Sequence, residues 1–346
     1  MRLAGQLAVA SVFLLAACEQ EPVKLELSGE TMGTTYSVVA LDRTGTLDRE
    51  AMQAAVDGAL AQVNAQMNNW DPNSEISRFN GAEGTEPVPI SAKLAEVMAA
   101  AYQVHERSLG RFDLTLGPVI ELWGFGARTA ESPVPSDEAI SEALAETGQR
   151  DVLEFSADAA TLRKLRDGTT VYLAAIAKGY GVDAVADALE ELGLEDFMVE
   201  IGGDLYVAGS NPDGAPWRIG IEKPDAASRT VQEIVELTAL GMATSGDYRN
   251  YVEENGVRYS HIIDGETGRP ITHRTASVTV LAESAMMADA WATAFLALGR
   301  EQGMEIAEKY EIAAFFIDRD PLGGEGRFET AASPQFAALQ ASSAAN

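Results

Sequence analysis

Apolar and polar residues along the chain fall into two rhythms. Between Met32 and Ala40 they alternate, with Tyr36, Val38 and Ala40 on one side, which predicts a strand. From Leu47 to Met67 the apolar positions Val56, Leu60, Val63 and Met67 recur at helical spacing. Ser91 is placed to cap a second helix carrying Leu94, Val97, Met98 and Ala101, with Gly110 to end it. Ala127 to Arg150 is polar, contains Pro133 and Pro135, and runs into a short helix capped by Ser136, so it reads as a surface insertion. The apolar run from Leu173 predicts a strand that enters an amphipathic helix over Gly181–Leu192, stopped by Gly193. Further strands are predicted at 197–201, 205–208, 217–221, 231–240, 257–263 and 276–281, with an Asn255-Gly256 turn joining two segments. Ser284 to Leu298 is apolar around its whole circumference, the mark of a buried helix. Runs of strands with a few interposed helices give an α+β class rather than a regular βαβ array. With no Pro- or Ser-rich linker between residues 28 and 330, one body is expected there, and the Ala/Ser-rich residues 331–346 are expected to form a flexible tail.

Composition narrows the function. The 346 residues carry 25 Lys+Arg against 53 Asp+Glu, a formal charge of −28. That excess argues against nucleic-acid binding and against adhesion to anionic lipid through a basic face. A single cysteine excludes an intrachain disulfide and a thiolate metal cluster. It lies in a telling place. Arg2 is the only charge before Glu19, and Leu7–Ala17 is apolar or small, so residues 1–17 read as a bacterial secretory signal. The exit Leu15-Ala16-Ala17-Cys18 resembles a lipobox. Cys18 is therefore expected to be acylated, with residues 18–27 as a tether and the body facing the periplasm. More than one acyl chain is needed for stable anchoring.

Several segments have the chemistry of a site. In the buried helix, Asp289 and Thr293 share one face. A buried carboxylate must be paired, hydrogen-bonded or metal-bound, and carboxylate with hydroxyl suits a hard cation such as Mg²⁺. A structural Asp bonded to a backbone or an arginine serves the pattern equally well. Leu173 to Gly181 combines small residues with a helix start and Lys178, which suits phosphate, although a plain strand-to-helix turn has the same sequence. Gly202-Gly203-Asp204 reads as a bulge or as a close approach to a ligand. Thr244-Ser245-Gly246-Asp247-Tyr248-Arg249 reads as a hairpin connection or an anion site. Trp70-Asp71 and Phe112-Asp113-Leu114-Thr115 join aromatics to polar groups, as a flat heterocycle requires. Of three histidines, His105 reads as a partly exposed helix residue and His273 as solvated. His261, among apolar neighbours, is the best acid/base candidate. The serine-hydrolase and zinc-protease signatures are absent.

Taken in order, these segments resemble the ApbE family of flavin transferases. The matching pieces are Thr31-Met32-Gly33-Thr34, Ser74-Glu75-Ile76-Ser77-Arg78-Phe79-Asn80, Phe112-Asp113-Leu114-Thr115-Leu116-Gly117-Pro118 and Leu122-Trp123-Gly124-Phe125-Gly126. They continue with Ala175-Ile176-Ala177-Lys178-Gly179-Tyr180, Ile201-Gly202-Gly203-Asp204, Thr244-Ser245-Gly246-Asp247-Tyr248, Ser260-His261-Ile262-Ile263-Asp264 and Met287-Ala288-Asp289-Ala290-Trp291-Ala292-Thr293-Ala294. The likeness covers roughly residues 28–330. It implies one T-fold-like body of antiparallel sheets with packed helices. It also implies that FAD binds with Mg²⁺ at its diphosphate, and that FMN passes to a Thr or Ser hydroxyl of an acceptor protein, releasing AMP. On that pattern the metal takes the Ala177 carbonyl, Asp289 and Thr293. Flavin and adenine contacts fall on Met32, Trp70, Asp113, Thr115, Ala174, Tyr180, His261 and Ile263, and His261 becomes the candidate base. Lipoproteins are common in the family, in line with Cys18, and a membrane electron-transfer subunit is the implied acceptor. Two positions depart from the pattern: Tyr172-Leu173-Ala174 lacks the usual acidic residue, and Gly265 stands where Pro is common. The same residues also suit an FAD diphosphatase, or a flavin-binding lipoprotein without activity.

Overall fold

The computed structural model of the chain describes residues 21–125, 134–225, 230–248, 251–254, 257–322 and 326–343. Cys18 and the leader, Arg249, the Asn255-Gly256 turn and part of the polar insertion lie outside these residues.

The alternation at residues 32–40 belongs to one arm of a hairpin. β1 (Val23–Thr31) pairs with β2 (Thr34–Asp42) across Met32-Gly33, both at positive φ (50° and 73°). Pairing starts at Val23, so residues 23–27, expected in the tether, belong to the sheet. Leu25 and Leu27 are buried beneath the helices and draw this stretch into the sheet. α1 (Arg49–Met67) buries Met52, Val56, Leu60, Val63 and Met67, close to the predicted stripe. α2 (Glu75–Gly81) starts on Ser74; β3 (Val88–Pro89) follows, and α3 (Ala92–Arg107) starts on Ser91 as predicted, each serine accepting the N–H three residues on. Next come α4 (Gly117–Leu122), α5 (Asp137–Ala145, capped by Ser136) and α6 (Gln149–Val152). β4 (Leu153–Ser156) and β5 (Thr161–Lys164) then complete a small sheet with β3.

α7 (Ala177–Glu191) begins four residues before the predicted start. β6 (Asp196–Ile201) and β7 (Asp204–Ala208) form a hairpin on Gly202-Gly203, a turn rather than a bulge, with φ of 58° and 98°. The run predicted at 231–240 divides between two sheets: β9 (Val231–Leu237) pairs with β8 (Trp217–Glu222), whereas β10 (Ala239–Gly246) joins the main sheet. Two small hairpins follow, β11 (Tyr251–Glu254) with β12 (Val257–Ser260) and β13 (Ile263–Asp264) with β14 (Arg269–Pro270). β15 (Thr275–Ala282), α8 (Ala285–Lys309), β16 (Ala313–Arg319), β17 (Phe328–Ala332) and α9 (Pro334–Ser343) complete the chain.

The main sheet runs β1-β2-β6-β7-β10-β15-β16-β17, antiparallel throughout and in chain order. It is a meander whose connections carry everything else, which makes the fold α+β with antiparallel sheets and packed helices. One face is covered by α1, α7 and α8, the other by the β8–β9 hairpin and α9. The expected tail is largely structured: β17 pairs with β16, and Phe336 of α9 is buried and stacks on Phe315 at 5.2 Å. An aromatic at a buried helical position outweighs the Ala/Ser composition around it. α8 breaks at Gly299 (φ 75°, ψ 170°), and the Thr275 hydroxyl accepts the Arg300 N–H where the second part begins. His273, expected in solvent, is half-buried against Gly299, and that burial lowers its pKa. His105 is also buried rather than partly exposed, its Nδ1 2.7 Å from the Phe112 carbonyl oxygen. Among the described residues no helix is long and apolar enough to cross a membrane.

Candidate active site

Two asparagines build the approach to the site. The Asn80 side chain donates to the Val171 carbonyl (2.9 Å) and accepts the Val171 N–H (2.8 Å). Asn69 donates to the same carbonyl (2.7 Å) and accepts the Leu173 N–H (2.9 Å). The Tyr172 N–H donates to the Leu114 carbonyl. Residues 171–173 thus lie outside any strand, their N–H groups taken by Asn80, Leu114 and Asn69, which corrects the predicted strand: side-chain amides replace most of a ladder. Tyr172 lines neither of the two cavities described below. Its hydroxyl donates to Glu121 (2.6 Å), and its ring fills the space beside Gly117.

Ala174–Ile176 then turn into α7, and two glycines there explain the Gly-Tyr-Gly spacing. A Cβ on Gly179 would lie 2.3 Å from the Ala285 carbonyl oxygen and 2.8 Å from the Asp289 Cβ, so α7 and α8 cross in backbone contact. A Cβ on Gly181 would lie 2.8 Å from Cε of Met32. Tyr180, between them, is buried in the core facing Glu96, Asp183 and Asp187, and burial pushes its hydroxyl pKa up. Its side chain is not brought to the site. The α8 N-terminus is held by Ser284, which accepts the Met287 N–H, and by Asp183, which accepts those of Ala285 and Met286. Burial raises Asp183 to about 7 against the pull of those two N–H groups.

At the crossing lies a buried charge cluster. Asp289 Oδ2 accepts the Gly179 N–H at 3.1 Å, and Oδ1 lies 3.7 Å from Lys178 Nζ. Lys178 makes its direct ion pair with Asp204 Oδ2. Strand alternation sets Asp204 on the face of Tyr206 and Ala208, toward the helices. Burial pushes the Asp204 carboxyl pKa up, helped by Asp289 and opposed by Lys178. Burial alone would lower Lys178; the two carboxylates outweigh it and hold its pKa above the ordinary value. Thr293, one turn beyond Asp289, is 3.1 Å from the Ser245 hydroxyl at the end of β10.

The cluster borders two cavities. One, about 420 Å³, is lined by Asp113, His261, Ile263, Asp289 and Thr293, with Arg111 and Phe125 on its wall. The other, about 490 Å³, is lined by Met32, Met67, Trp70 and Ala177. Ala174 and Lys178 line both. The His261 ring meets Phe125 edge-on, centroids 6.3 Å apart. Trp70 is 63% exposed, a broad aromatic face at the second cavity. Thr115 does not line either cavity: it is buried behind Asp113, donating to that carboxylate and accepting the Gly148 N–H. Arg111, which the sequence did not single out, is held by Asp264 and Glu266.

The fold and the cleft define the class, an antiparallel α+β body with a two-lobed cavity and a buried carboxylate–ammonium cluster at its waist. The chain belongs to the ApbE family, whose sequence profile matches residues 32–316. It is 45% identical over 310 residues to a Vibrio cholerae protein named FAD:protein FMN transferase, covering 90% of this chain and 92% of that one. A Haemophilus influenzae protein of the same name is 42% identical over 341 residues, 97% of each chain. The solved structure of the flavin transferase ApbE from Vibrio cholerae superposes with a TM-score of 0.84 at 42% identity, covering 92% of this chain and 99% of that one.

Proposed function

We propose that the chain transfers FMN from FAD to a Thr or Ser hydroxyl of an acceptor protein. The observation that carries this reading is the pair of cavities sharing Ala174 and Lys178: a dinucleotide has two bulky ends and a diphosphate between them. The acceptor oxygen forms a bond to the FMN phosphorus, the P–O bond to the AMP phosphate breaks, and AMP leaves with that electron pair. His261 takes the hydroxyl proton on a ring nitrogen. Asp113, Ile263 and Phe125 fix and screen the substrate around it, and Lys178 faces the diphosphate as a point charge.

The residues fit a hard divalent cation. Among the described residues no three His, Cys, Asp or Glu gather as metal ligands. The donors present are the Asp289 carboxylate, the Thr293 hydroxyl and the Ala177 carbonyl, an all-oxygen set of the kind Mg²⁺ accepts while keeping waters or phosphate oxygens. Bound there, Mg²⁺ supplies charge compensation to the diphosphate. Acylation of Cys18 tethers the enzyme on the periplasmic side, where its acceptor, a membrane electron-transfer subunit, is met.

Purified protein incubated with FAD, Mg²⁺ and a candidate acceptor should add the mass of FMN less water to a Thr or Ser, read by mass spectrometry. His261→Gln should lower the rate by about 10²–10⁴-fold while FAD still binds. AMP release with no acceptor modification would sink the reading in favour of a diphosphatase. Unchanged transfer by Asp289→Ala would sink the metal site.

A further inference from the structure

Two buried carboxyl groups, Asp204 and Asp289, share one half-buried ammonium, that of Lys178, at the waist. Which carboxylate keeps it decides what the site can hold. We propose that Asp204 is a positioning residue that engages Lys178 and so keeps the Asp289 carboxylate available to a divalent cation. This rests on the reading of Asp289 as a cation ligand.

Lys178 stands in the first turn of α7, within contact range of both carboxylates. Its ammonium is in direct contact with Asp204 Oδ2 but 3.7 Å from Asp289 Oδ1. The anchor is rigid. Asp204 is 2% exposed, follows the Gly202-Gly203 turn at once, and is paired in register with Ile201. Gly202 is packed against Thr34, where a Cβ would lie 2.8 Å from Cγ2. Among the described residues, Asp289 is engaged on its other oxygen by a neutral donor, the Gly179 N–H. A neutral residue at 204 would leave Asp289 as the one carboxylate among the described residues that contacts the ammonium. A cation would then have to displace an ion pair in a desolvated place, where such pairs are strong. The Gly-Gly-Asp motif thereby acquires a role that its sequence alone left open: the glycines make the tight turn and the aspartate diverts the lysine. A purely structural Asp204, serving only to neutralise a buried lysine, would affect stability and leave cation affinity unchanged.

The test is cation affinity of the purified full chain, measured by titrating Mn²⁺ and reading free Mn²⁺ by electron paramagnetic resonance, with Mg²⁺ as competitor. Asp204→Asn should weaken binding by about 10- to 100-fold, the usual effect of a residue that orients a ligand. Lys178→Gln alone should not weaken it, because it removes a positive charge 3.7 Å from Asp289. Adding Lys178→Gln to Asp204→Asn should restore most of the loss, so the two substitutions are strongly non-additive. Wild-type affinity in Asp204→Asn, or additive effects in the double variant, would overturn the proposal. Should Asp204→Asn fail to fold by circular dichroism, Asp204→Ser carries the same comparison. A native chain that binds neither ion, or whose affinity Asp289→Ala leaves unchanged, overturns the ligand reading and the proposal together; native binding lost in Asp289→Ala but retained in Asp204→Asn overturns the proposal alone.

Discussion

Gly179→Ala tests the helix crossing on which the site is built. The new methyl would sit 2.3 Å from the Ala285 carbonyl oxygen and 2.8 Å from the Asp289 Cβ, and the first of these neighbours is backbone with no rotamer to yield. Restoring ordinary contact requires α7 and α8 to part by about 1 Å. Overpacking of this kind costs about 1–3 kcal/mol, at about 2–4 °C in Tm per kcal/mol for a chain of this order of size. The same displacement lengthens the Gly179 N–H bond to Asp289 and moves that carboxylate relative to Lys178 and the Ala177 carbonyl of α7. A shift near 1 Å at reacting groups costs on the order of 100-fold in rate. Differential scanning fluorimetry and the FMN-transfer assay should therefore both respond. Gly58→Ala is the internal control. That glycine is exposed in the middle of α1 with nothing near its Cβ position, so alanine should stabilise by about 1 kcal/mol and leave transfer unchanged. Native transfer and native Tm in Gly179→Ala would refute the close crossing and the positioning built on it.

Hydrogen bonds from the Thr44 hydroxyl, then from backbone N–H groups including those of Leu47 and Thr44, hold Asp42 at about 2 against an ordinary 3.8. Its stabilising effect is full above pH 3.8 and disappears as pH falls toward 2. In urea titrations Asp42→Asn should be less stable than wild type near neutrality, with the gap closing in acid; a gap that widens in acid contradicts the assignment. Asn80→Ala orphans the Val171 N–H and should cost about 1–3 kcal/mol. It should also weaken FAD binding, read by flavin fluorescence, because Ala174 loses its anchor; unchanged affinity would count against the clamp. Phe336→Ala should lose about 3–5 kcal/mol in a denaturant melt while transfer below the melting range persists; a negligible loss would show that α9 is not docked.

Periodic stretches were legible in the sequence because burial imposes the period. The α1 stripe, the Ser91 and Ser136 caps and the apolar helix before Gly299 each carry their own local signal. Contacts that close over long separations were not. Nothing near residue 172 announces that Asn69 and Asn80 will supply its ladder, and the β9–β10 break at residue 238 is a change of sheet inside one apolar run. The site divides the same way. Asp289 and Thr293 could be paired on one helix face, and Lys178 noted beside them. The Lys178–Asp204 contact depends on the β6–β7 hairpin delivering a carboxylate across the sheet to α7. Its only sequence trace is an acidic residue opening a short apolar strand directly after two glycines. Tyr180 and Thr115 were placed at the site by likeness, but their side chains turn into the interior. His105 and His273 are buried through contacts that composition around each does not show, with the Phe112 carbonyl past the end of α3 and with Gly299 in α8.

The chain-order meander also fixes when the site can exist. Most neighbouring strands are joined by short or single-hairpin connections, but β2 meets β6 only after residues 43–195 have been made and packed, a large loop to close. The charge cluster then draws on α7, β7 and finally α8, ending at Thr293. A chain emerging from its N-terminus therefore has all the lining of the second cavity by Lys178, but completes neither the cluster nor the first cavity until α8 is out. Synthesis order alone withholds the Asp289–Thr293 wall from partial chains, and closing the long excursion between β2 and β6 is the step that chain topology makes slow.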